Sequence, residues 1–447
     1  QAETLYRQIL EQKPNYAEVH SKLGIALRDQ KKFSAAVESF QKALRIDSNL
    51  FEAHYKLGTV FDAQGQYDAA IKAYQDTLLL KPDYAEAHYN MANLLMMQGK
   101  LPAAVTRYQQ AGLIKPDFAY AHCNLGSALA DLNQINPAIA SFRQALLYIP
   151  DDGEVHFNLG LLLLALGEYD EGWKEHEYRY HPSVNNPNVR VPQLGFPQWQ
   201  GESLKDKTIV IWYEQGLGDT IQFSRYAAVL KQQQAKKVTL VCDNSLKRLF
   251  ESLPDVDKIL TTTEAVSIPT YDYWTFPLSI PLYCHATTKT IPNTMPYLSD
   301  FQSLVEQWQA KLQKGKMRVC LVWKGSSGHK NDANRSIPTL QLLAPLWNLT
   351  DCQFVSLQKG RAEEEIATFA AVYPLTHLGA VIKDFADTAA IISQLDLVIT
   401  IDTAVAHLAG AMGKPVWVML PFVADWRWLI DCENSPWYPT ARLFRQT

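Results

Sequence analysis

Residues 82–115 read PDYAEAHYNMANLLMMQGKLPAAVTRYQQAGLIK, and the same register recurs on both sides of this stretch. Its histidine is one of five, His20, His54, His88, His122 and His156, each 34 residues from the next. Leu23, Leu57, Met91, Leu125 and Leu159 stand three residues after them. Gly24, Gly58, Ala92, Gly126 and Gly160 come next. Pro14, Pro82, Pro116 and Pro150 close the repeats, with Ser48 as the one substitute. A period of this length is the signature of stacked helix–turn–helix units, each burying its apolar face against its neighbour. The small residue at 24, 58, 92, 126 and 160 lets the first helix of each unit approach the second. Ala36, Ala70, Ala104 and Ala138 do the same from the second helix. Gly65, Gly99 and Gly167 suit a turn with φ > 0, which Asn133 tolerates. Each proline ends a second helix because it has no N–H to donate.

In these positions the chain resembles the tetratricopeptide repeat (TPR) family over residues 1–186, which implies a solenoid whose concave face grips other chains. Gln1–Pro14 reads as the second helix of a repeat whose first is missing, so a fragment of a longer array is expected. The five histidines are expected to be packing residues. Two residues after each stands Lys22, Lys56, Asn90, Asn124 or Asn158, on the inner helix. That position lines the groove in TPR solenoids. The asparagines resemble the ladder of O-GlcNAc transferases, whose amides bind peptide backbone irrespective of sequence. An amide both donates and accepts, so it suits a main chain. Asn93 adds a second amide one turn beyond Asn90. The alternative is a solvated polar face. Self-association through the repeats is a further expectation.

The rest of the chain is bounded by its composition. A length of 447 residues predicts two to four domains, and 47% apolar residues are enough for a sizeable core. A net charge of −4 gives no reason to expect nucleic acid or an anionic membrane as partner. The six cysteines are scattered without CxxC pairs, which points to free thiols in a reducing compartment. The longest apolar run, Leu159–Leu166, is too short to span a bilayer and no secretory signal is visible, so a cytoplasmic location is expected.

After a polar, proline-rich stretch (187–206, read as a linker) the pattern changes. Apolar β-branched runs at Thr208–Trp212, Lys237–Cys242, Met317–Trp323, Gln353–Leu357, Leu375–Leu378, Leu397–Ile401 and Val416–Leu420 alternate with helical stretches. This predicts parallel strands with crossover helices. Two such halves, 207–297 and 316–447, are joined by a helix over 298–315. They suggest twin doubly wound, Rossmann-like domains facing a cleft. Ligands in such sheets lie beyond the carboxyl ends of the strands.

Three loops carry candidate chemistry. In Leu397–Gly410 a buried strand runs into a helix start. Asp402 is the natural N-cap, and the amides of Thr403, Ala404 and Val405 point out from the helix end. Free N–H groups and about half a positive charge suit a diphosphate. His407 lies on the same face as Thr403. The loop 324–338 follows another strand and offers backbone amides, Ser326, Ser327, Lys330 and Arg335, which also suits phosphate. In the other half Gly216-Leu-Gly-Asp219 follows the first strand. Asp219 at a helix start would repel a pyrophosphate. It suits either a general base, with its pKa depressed by the helix dipole, or a plain helix cap.

Gly218-Asp219, Arg335-Ser-Ile-Pro338 and Asp402-Thr403-Ala-Val-Ala-His407-Leu-Ala resemble, over residues 205–447, the heptosyltransferase-type GT-B glycosyltransferases. The resemblance implies that Asp219 deprotonates an acceptor hydroxyl. It assigns Arg335, the Thr403 and Ala404 amides and His407 to the donor diphosphate, and Glu364 to the neighbourhood of the donor ribose. Gln358, Asp402, Asp384 and Trp426 are further candidates for the donor nucleoside or sugar; Asp384 reads equally as a helix entry and Trp426 as aromatic core. Ala404 departs from the family pattern, which has Gly there. The family's closing helix is not found after Phe444. No metal or other cofactor is expected. Amides and Arg335 can stabilise the leaving diphosphate at about 1.5–3 kcal/mol per charge-assisted bond.

The expected architecture is thus α + α/β, a TPR solenoid followed by a GT-B glycosyltransferase. The expected activity is inverting, metal-independent transfer of a sugar from a nucleotide-sugar donor to a Ser or Thr hydroxyl of a polypeptide in the groove. Two alternatives stand beside it: a lipid or glycan acceptor with the repeats as a docking module, and a TPR scaffold whose GT-B half is inactive.

Overall fold

Three helix pairs of the repeats are built on one glycine facing one ring. The computed structural model describes residues 1–184, 191–214, 216–329, 331–360 and 362–447. They divide into two units, Gln1–Leu159 and Gly160–Thr447. The first unit opens with α1 (Ala2–Gln12) and continues as α2 (Ala17–Asp29) with α3 (Phe33–Ile46) and α4 (Phe51–Ala63) with α5 (Tyr67–Leu80). Next come α6 (Ala85–Met97) with α7 (Leu101–Ile114), α8 (Ala119–Asp131) with α9 (Ile135–Leu146), and α10 (Gly153–Leu166), which crosses the boundary. A Cβ added at Gly24, Gly58 or Gly126 would lie 2.8, 2.6 or 2.7 Å from the ring of Phe40, Tyr74 or Phe142. Those rings stand on the second helix of the same pair and are buried. The turn between the helices takes φ > 0 at Gly65, Gly99 and Asn133, as expected, and also at Lys31 (φ 60). The side chain of Lys31 gives no hint of that conformation.

The histidines are the mortar of the stack. Nε2 of His20, His54, His88, His122 and His156 meets the carbonyl six residues earlier, on Pro14, Ser48, Pro82, Pro116 and Pro150, at 2.8, 3.1, 3.0, 2.9 and 2.8 Å. A carbonyl only accepts, so each ring donates from Nε2. The bond ties the inner helix to the carbonyl that closes the preceding outer helix. The packing reading of the histidines holds.

In the second unit α11 (Tyr169–His176) comes first, followed by a 3₁₀ turn at Glu177–Tyr180. The first sheet has β1 (Thr208–Ile211), β2 (Lys237–Cys242), β3 (Lys258–Thr261) and β4 (Tyr273–Thr275) in the order β3-β2-β1-β4. The second has β5 (Met317–Val322), β6 (Cys352–Ser356), β7 (Leu375–His377), β8 (Leu397–Ile401), β9 (Val416–Leu420) and β10 (Ala441–Arg445) in the order β10-β9-β8-β5-β6-β7. Every pairing between these strands is parallel. The helices are α12 (Leu217–Phe223), α13 (Tyr226–Gln232), α14 (Asn244–Phe250), α15 (Ile280–Tyr283), α16 (Gln302–Gln309), α17 (Asp332–Arg335), α18 (Glu363–Ala370), α19 (Phe385–Ile392) and α20 (Ala404–Ala411). Pleating sorts β5 between two cores: Val319 and Leu321 face one cluster, Cys320 and Val322 the other.

Strand order reverses beside β1 in the first sheet and between β5 and β8 in the second. Those are the topological switch points where open parallel sheets bind ligands. The loops after β1, β5 and β8 are the three that carry the candidate residues.

Several elements differ from expectation for local reasons. The helical stretch after the loop that follows β5 is 3₁₀ over Leu340–Asn348 rather than α, because Pro345 inside it cannot donate. The helix after Asp219 breaks into α12 and α13 where Ser224 Oγ donates back to the Ile221 carbonyl at 2.9 Å. The helix expected over 298–315 is confined to α16. β3 and β10 were not anticipated. The start of the expected linker, 187–190, lies outside the described residues. Its remainder packs: Trp199 is buried and its N–H donates to the Trp274 carbonyl at 2.7 Å. All six cysteines are unpaired. Among the described residues no helix is long and apolar enough to cross a membrane.

Candidate functional site

Asp219 is the third residue of α12. One oxygen accepts the Gly216 N–H at 3.1 Å, and the other is ion-paired with Arg427 Nη2. The loop ahead of it is anchored by a buried ion cluster. Arg179 is wholly buried and pairs with Glu214, with Glu177 (2.5 Å) and with Ser279 Oγ (2.8 Å). Glu214 thereby fixes the chain two residues before Gly216, so the position of Asp219 is set from the 3₁₀ turn after α11.

Gly218 is there for closeness. A Cβ at this position would lie 2.7 Å from His407 Cδ2 and 3.6 Å from the Ala404 Cα. The start of α12 therefore rests on the first turn of α20. Thr403 is the N-cap of α20, and among the described residues no side chain caps that end. Intrahelical bonds begin with the Ala406 and His407 amides on the Thr403 carbonyl, at 2.9 and 3.4 Å. The amides of Thr403, Ala404 and Val405 precede them.

This corrects the reading of Asp402. Its carboxylate does not cap the helix, because extended backbone at Thr403 (φ −145, ψ 170) makes the next residue the cap. Instead it faces His407 Nε2 at 3.8 Å, while its carbonyl accepts Arg335 Nη1 at 3.0 Å. Burial, reinforced by Asp425 nearby, pushes the Asp402 carboxyl up to about 6. Arg335 lies over Gly325, where a Cβ would sit 2.5 Å from Nη2, and its Nε is 3.6 Å from Asp332. His407 stacks on Trp428 (centroids 5.3 Å apart) and shares a hydrogen bond with the Tyr438 hydroxyl at 3.0 Å through Nδ1. Burial and the charge of Arg427 hold it down to about 3, so the ring is neutral. The expected depression of the Asp219 pKa is also reversed. Burial raises it, against the pull of Arg427, and this outweighs the helix end.

The structure thus brings Asp219, Arg335, Asp402, Thr403, Ala404 and His407 into one chain of contacts. Other candidates fall elsewhere. Ser326 and Ser327 are exposed on the loop after β5, and Lys330 lies outside the described residues. Lys324 in that loop is paired with Glu365. Glu364 is exposed on the first turn of α18. Gln358 is buried, and its side-chain oxygen takes the Trp323 and Lys324 amides at 3.2 and 3.0 Å, so it clamps the start of the loop. Asp384 caps α19 and pairs with Arg248 of α14 at 2.7 Å, the helix-entry alternative with a tie to the first sheet added. Trp426 is buried edge-on to Trp173 (5.4 Å), aromatic core rather than open pocket wall. Sequence reasoning missed Arg427, Asp425 and the bond of Tyr438 to His407. The only signal was the charged pair inside Ala424–Leu429, among tryptophans.

On the repeats, Asn90 Nδ2 donates to Tyr55 OH at 3.0 Å. Asn124 Nδ2 donates to Tyr89 OH (3.3 Å) and to Asn93 Oδ1 (3.0 Å), and Tyr108 OH also donates to Asn93 Oδ1 (2.6 Å). The asparagines form rungs with tyrosines of the preceding repeat, and part of their donor capacity is committed. Asn158 is half-buried in the same register, Lys22 is exposed, and Lys56 reaches over the Tyr55 ring at 5.1 Å.

Comparison with known proteins adds the following. A TPR repeat family model matches residues 26–65, 59–99 and 92–133, and a tetratricopeptide repeat model matches 123–180. Protein FlbA of Caulobacter vibrioides is 30% identical over 309 residues, covering 63% of this chain and 50% of FlbA. The chain therefore spans about half the length of this curated relative, and the match is too long to be confined to the repeats. Among solved structures, MamA is 24% identical over 35% of this chain and 91% of its own (TM-score 0.34). YrrB, a TPR protein with an unusual peptide-binding site, is 17% identical over 39% and 89% (TM-score 0.36). PilF of Pseudomonas aeruginosa is 20% identical over 36% and 74% (TM-score 0.33). The N-terminal part of the chain is a TPR solenoid, and the parallel sheets follow it.

Proposed function

We propose that the second unit is an inverting, metal-independent glycosyltransferase of the GT-B kind. Its donor is a nucleotide-sugar and its acceptor a Ser or Thr hydroxyl of a polypeptide held in the TPR groove. The observation that carries this reading is the meeting of Gly218, next to Asp219 in the first turn of α12 after β1, with Ala404 and His407 in the first turn of α20 after β8. A lone carboxylate from one sheet stands against anion-binding groups from the other, each at its own switch point.

The chemistry divides between them. Asp219 takes the proton of the acceptor hydroxyl as its oxygen attacks the anomeric carbon. The bond to the diphosphate breaks on the opposite face, so configuration inverts. A positioned base of this kind contributes about 10²–10⁴-fold, and the raised pKa of Asp219 makes it a stronger base than an exposed carboxylate. The departing charge falls to the Thr403 and Ala404 amides and Arg335, with neutral His407 beside them. In the groove, Asn124 has both Nδ2 hydrogens in use, so its amide oxygen is the group that would meet a backbone N–H.

The test is a panel of sugar nucleotides, read by thermal shift and by release of nucleoside diphosphate. One donor should raise the melting point and turn over, with Asp219→Asn losing turnover while retaining binding. The triple variant Asn90→Ala, Asn124→Ala, Asn158→Ala should lose peptide glycosylation but keep donor hydrolysis. No binding and no release from any donor would end the proposal.

A further inference from the structure

Arg427 sits in the 3₁₀ turn Trp426–Trp428, on the chain that leaves β9. It is 8% exposed, yet its guanidinium is shared among several claims. Nη2 pairs with Asp219 across from the first sheet, and Nη1 pairs with Asp425 Oδ1 at 2.8 Å. The same Asp425 oxygen accepts the Arg427 backbone N–H at 3.0 Å, and the guanidinium lies 4.4 Å from the Trp426 ring centroid. Among the described residues Nε is buried without a hydrogen-bond partner. Asp425 and Trp426 belong to the same turn as Arg427 and hold it from behind. Asp219 comes from another element and is the one partner that can leave without unmaking the turn.

The surroundings explain why it would leave. Asp219, Asp402 and Asp425 crowd one side chain, and the Arg427 charge acts on all three. Beside them Arg335 is bound to the Asp402 carbonyl, and the open amide end of α20 begins one residue further on. A dianion placed at those amides competes with a carboxylate for Arg427, and a planar guanidinium suits phosphate oxygens in two-pronged fashion. We infer that Arg427 is a positioning residue that holds the Asp219 carboxylate until a donor binds and then turns to the donor's diphosphate, freeing that carboxylate for the acceptor. The inference rests on the glycosyl-transfer reading for its purpose, though not for its test.

Inorganic pyrophosphate is the probe, titrated by calorimetry into wild type, Arg427→Gln, Asp219→Asn and the double variant. Arg427→Gln should weaken binding at least tenfold, with Arg427→Lys in between. Asp219→Asn should tighten it about three- to tenfold by removing a competitor. In the double variant that gain should vanish, because the competition runs through Arg427. Absence of pyrophosphate binding to wild type, no tightening in Asp219→Asn, or an equal gain with and without Arg427 would each overturn the inference. If Arg427→Gln does not fold, judged by its near-ultraviolet dichroism, the cycle is run with Arg427→Lys, where the gain should shrink. Failure of the glycosyl-transfer reading shows separately, as absence of nucleotide-sugar turnover in a wild type that still binds pyrophosphate.

Discussion

The carboxyl of Asp402 gives the sharpest quantitative expectation. It is 18% exposed, 3.8 Å from a neutral imidazole and close to Asp425, and its pKa is pushed from 3.8 up to about 6. Folding therefore opposes its ionisation. The folded chain binds more protons than the unfolded one between these two values, so stability falls as pH rises through that window. Integrating the linkage gives a penalty of about 3 kcal/mol at pH 7.5, roughly halved at pH 5 and small at pH 4. Asp402→Asn keeps the shape, and the Arg335 bond is to a backbone carbonyl that the substitution leaves in place. The variant should therefore melt higher than wild type at pH 7.5, by roughly 5–10 °C for a unit of this size. The difference should shrink steadily on acidification and be nearly gone at pH 4. Calorimetric melting of both proteins across this range is the assay. A variant that melts lower at neutral pH, or a difference that does not move with pH, would refute the reasoning and leave Asp402 as a carboxylate stabilised by its arginines.

The repeats supply four further expectations. Gly58→Ala gains up to about 1 kcal/mol of helix propensity but sets a methyl 2.6 Å from the Tyr74 ring, so urea unfolding should show a net loss of about 1–2 kcal/mol. Lys31→Gly relieves a left-handed backbone at φ 60 and should stabilise by about 0.5 kcal/mol, whereas Lys31→Val should destabilise. His122→Ala breaks the bond to the Pro116 carbonyl and should cost about 1–2 kcal/mol. A Cβ at Gly112 would lie 2.7 Å from His122 Cε1, so Gly112→Ala should be harmful alone and much better tolerated beside His122→Ala, read as a coupling energy in a double-mutant cycle.

The solenoid was legible because its determinants are local and repeated. His88, Ala92 and Gly99 each do in one repeat what their counterparts do in the next, and neighbours along the chain are neighbours in space. The exceptions are positions where identity and conformation part company. Lys31 occupies the register of Gly65 and Gly99 with a residue that gives no sign of φ > 0. Asn124 was recognised as an inward-facing amide, but its engagement with Tyr89 and Asn93 depends on residues 35 and 31 positions away and could not be read from a ladder of asparagines. In the second unit, β2, β8 and β9 were bounded correctly from apolar runs alone. β10 was missed because its alternation of buried Ala441 and Leu443 with outward Arg442 and Phe444 is short and follows turn-rich sequence.

The charge distribution of the site was hidden for a deeper reason. Helix-end arguments applied one at a time make Asp402 a helix cap and give Asp219 a depressed pKa. In the fold both carboxylates, with Asp425, share Arg427, and desolvation of Asp219 and Asp402 outweighs a short helix dipole. Asp219 and Arg427 are separated by most of the two sheets in sequence and become partners only because both switch points open on the same side. A residue pattern can show that a strand delivers an aspartate to a helix start. Which cation waits there is decided by topology, and with it whether that aspartate is a cap, a counter-ion or a base.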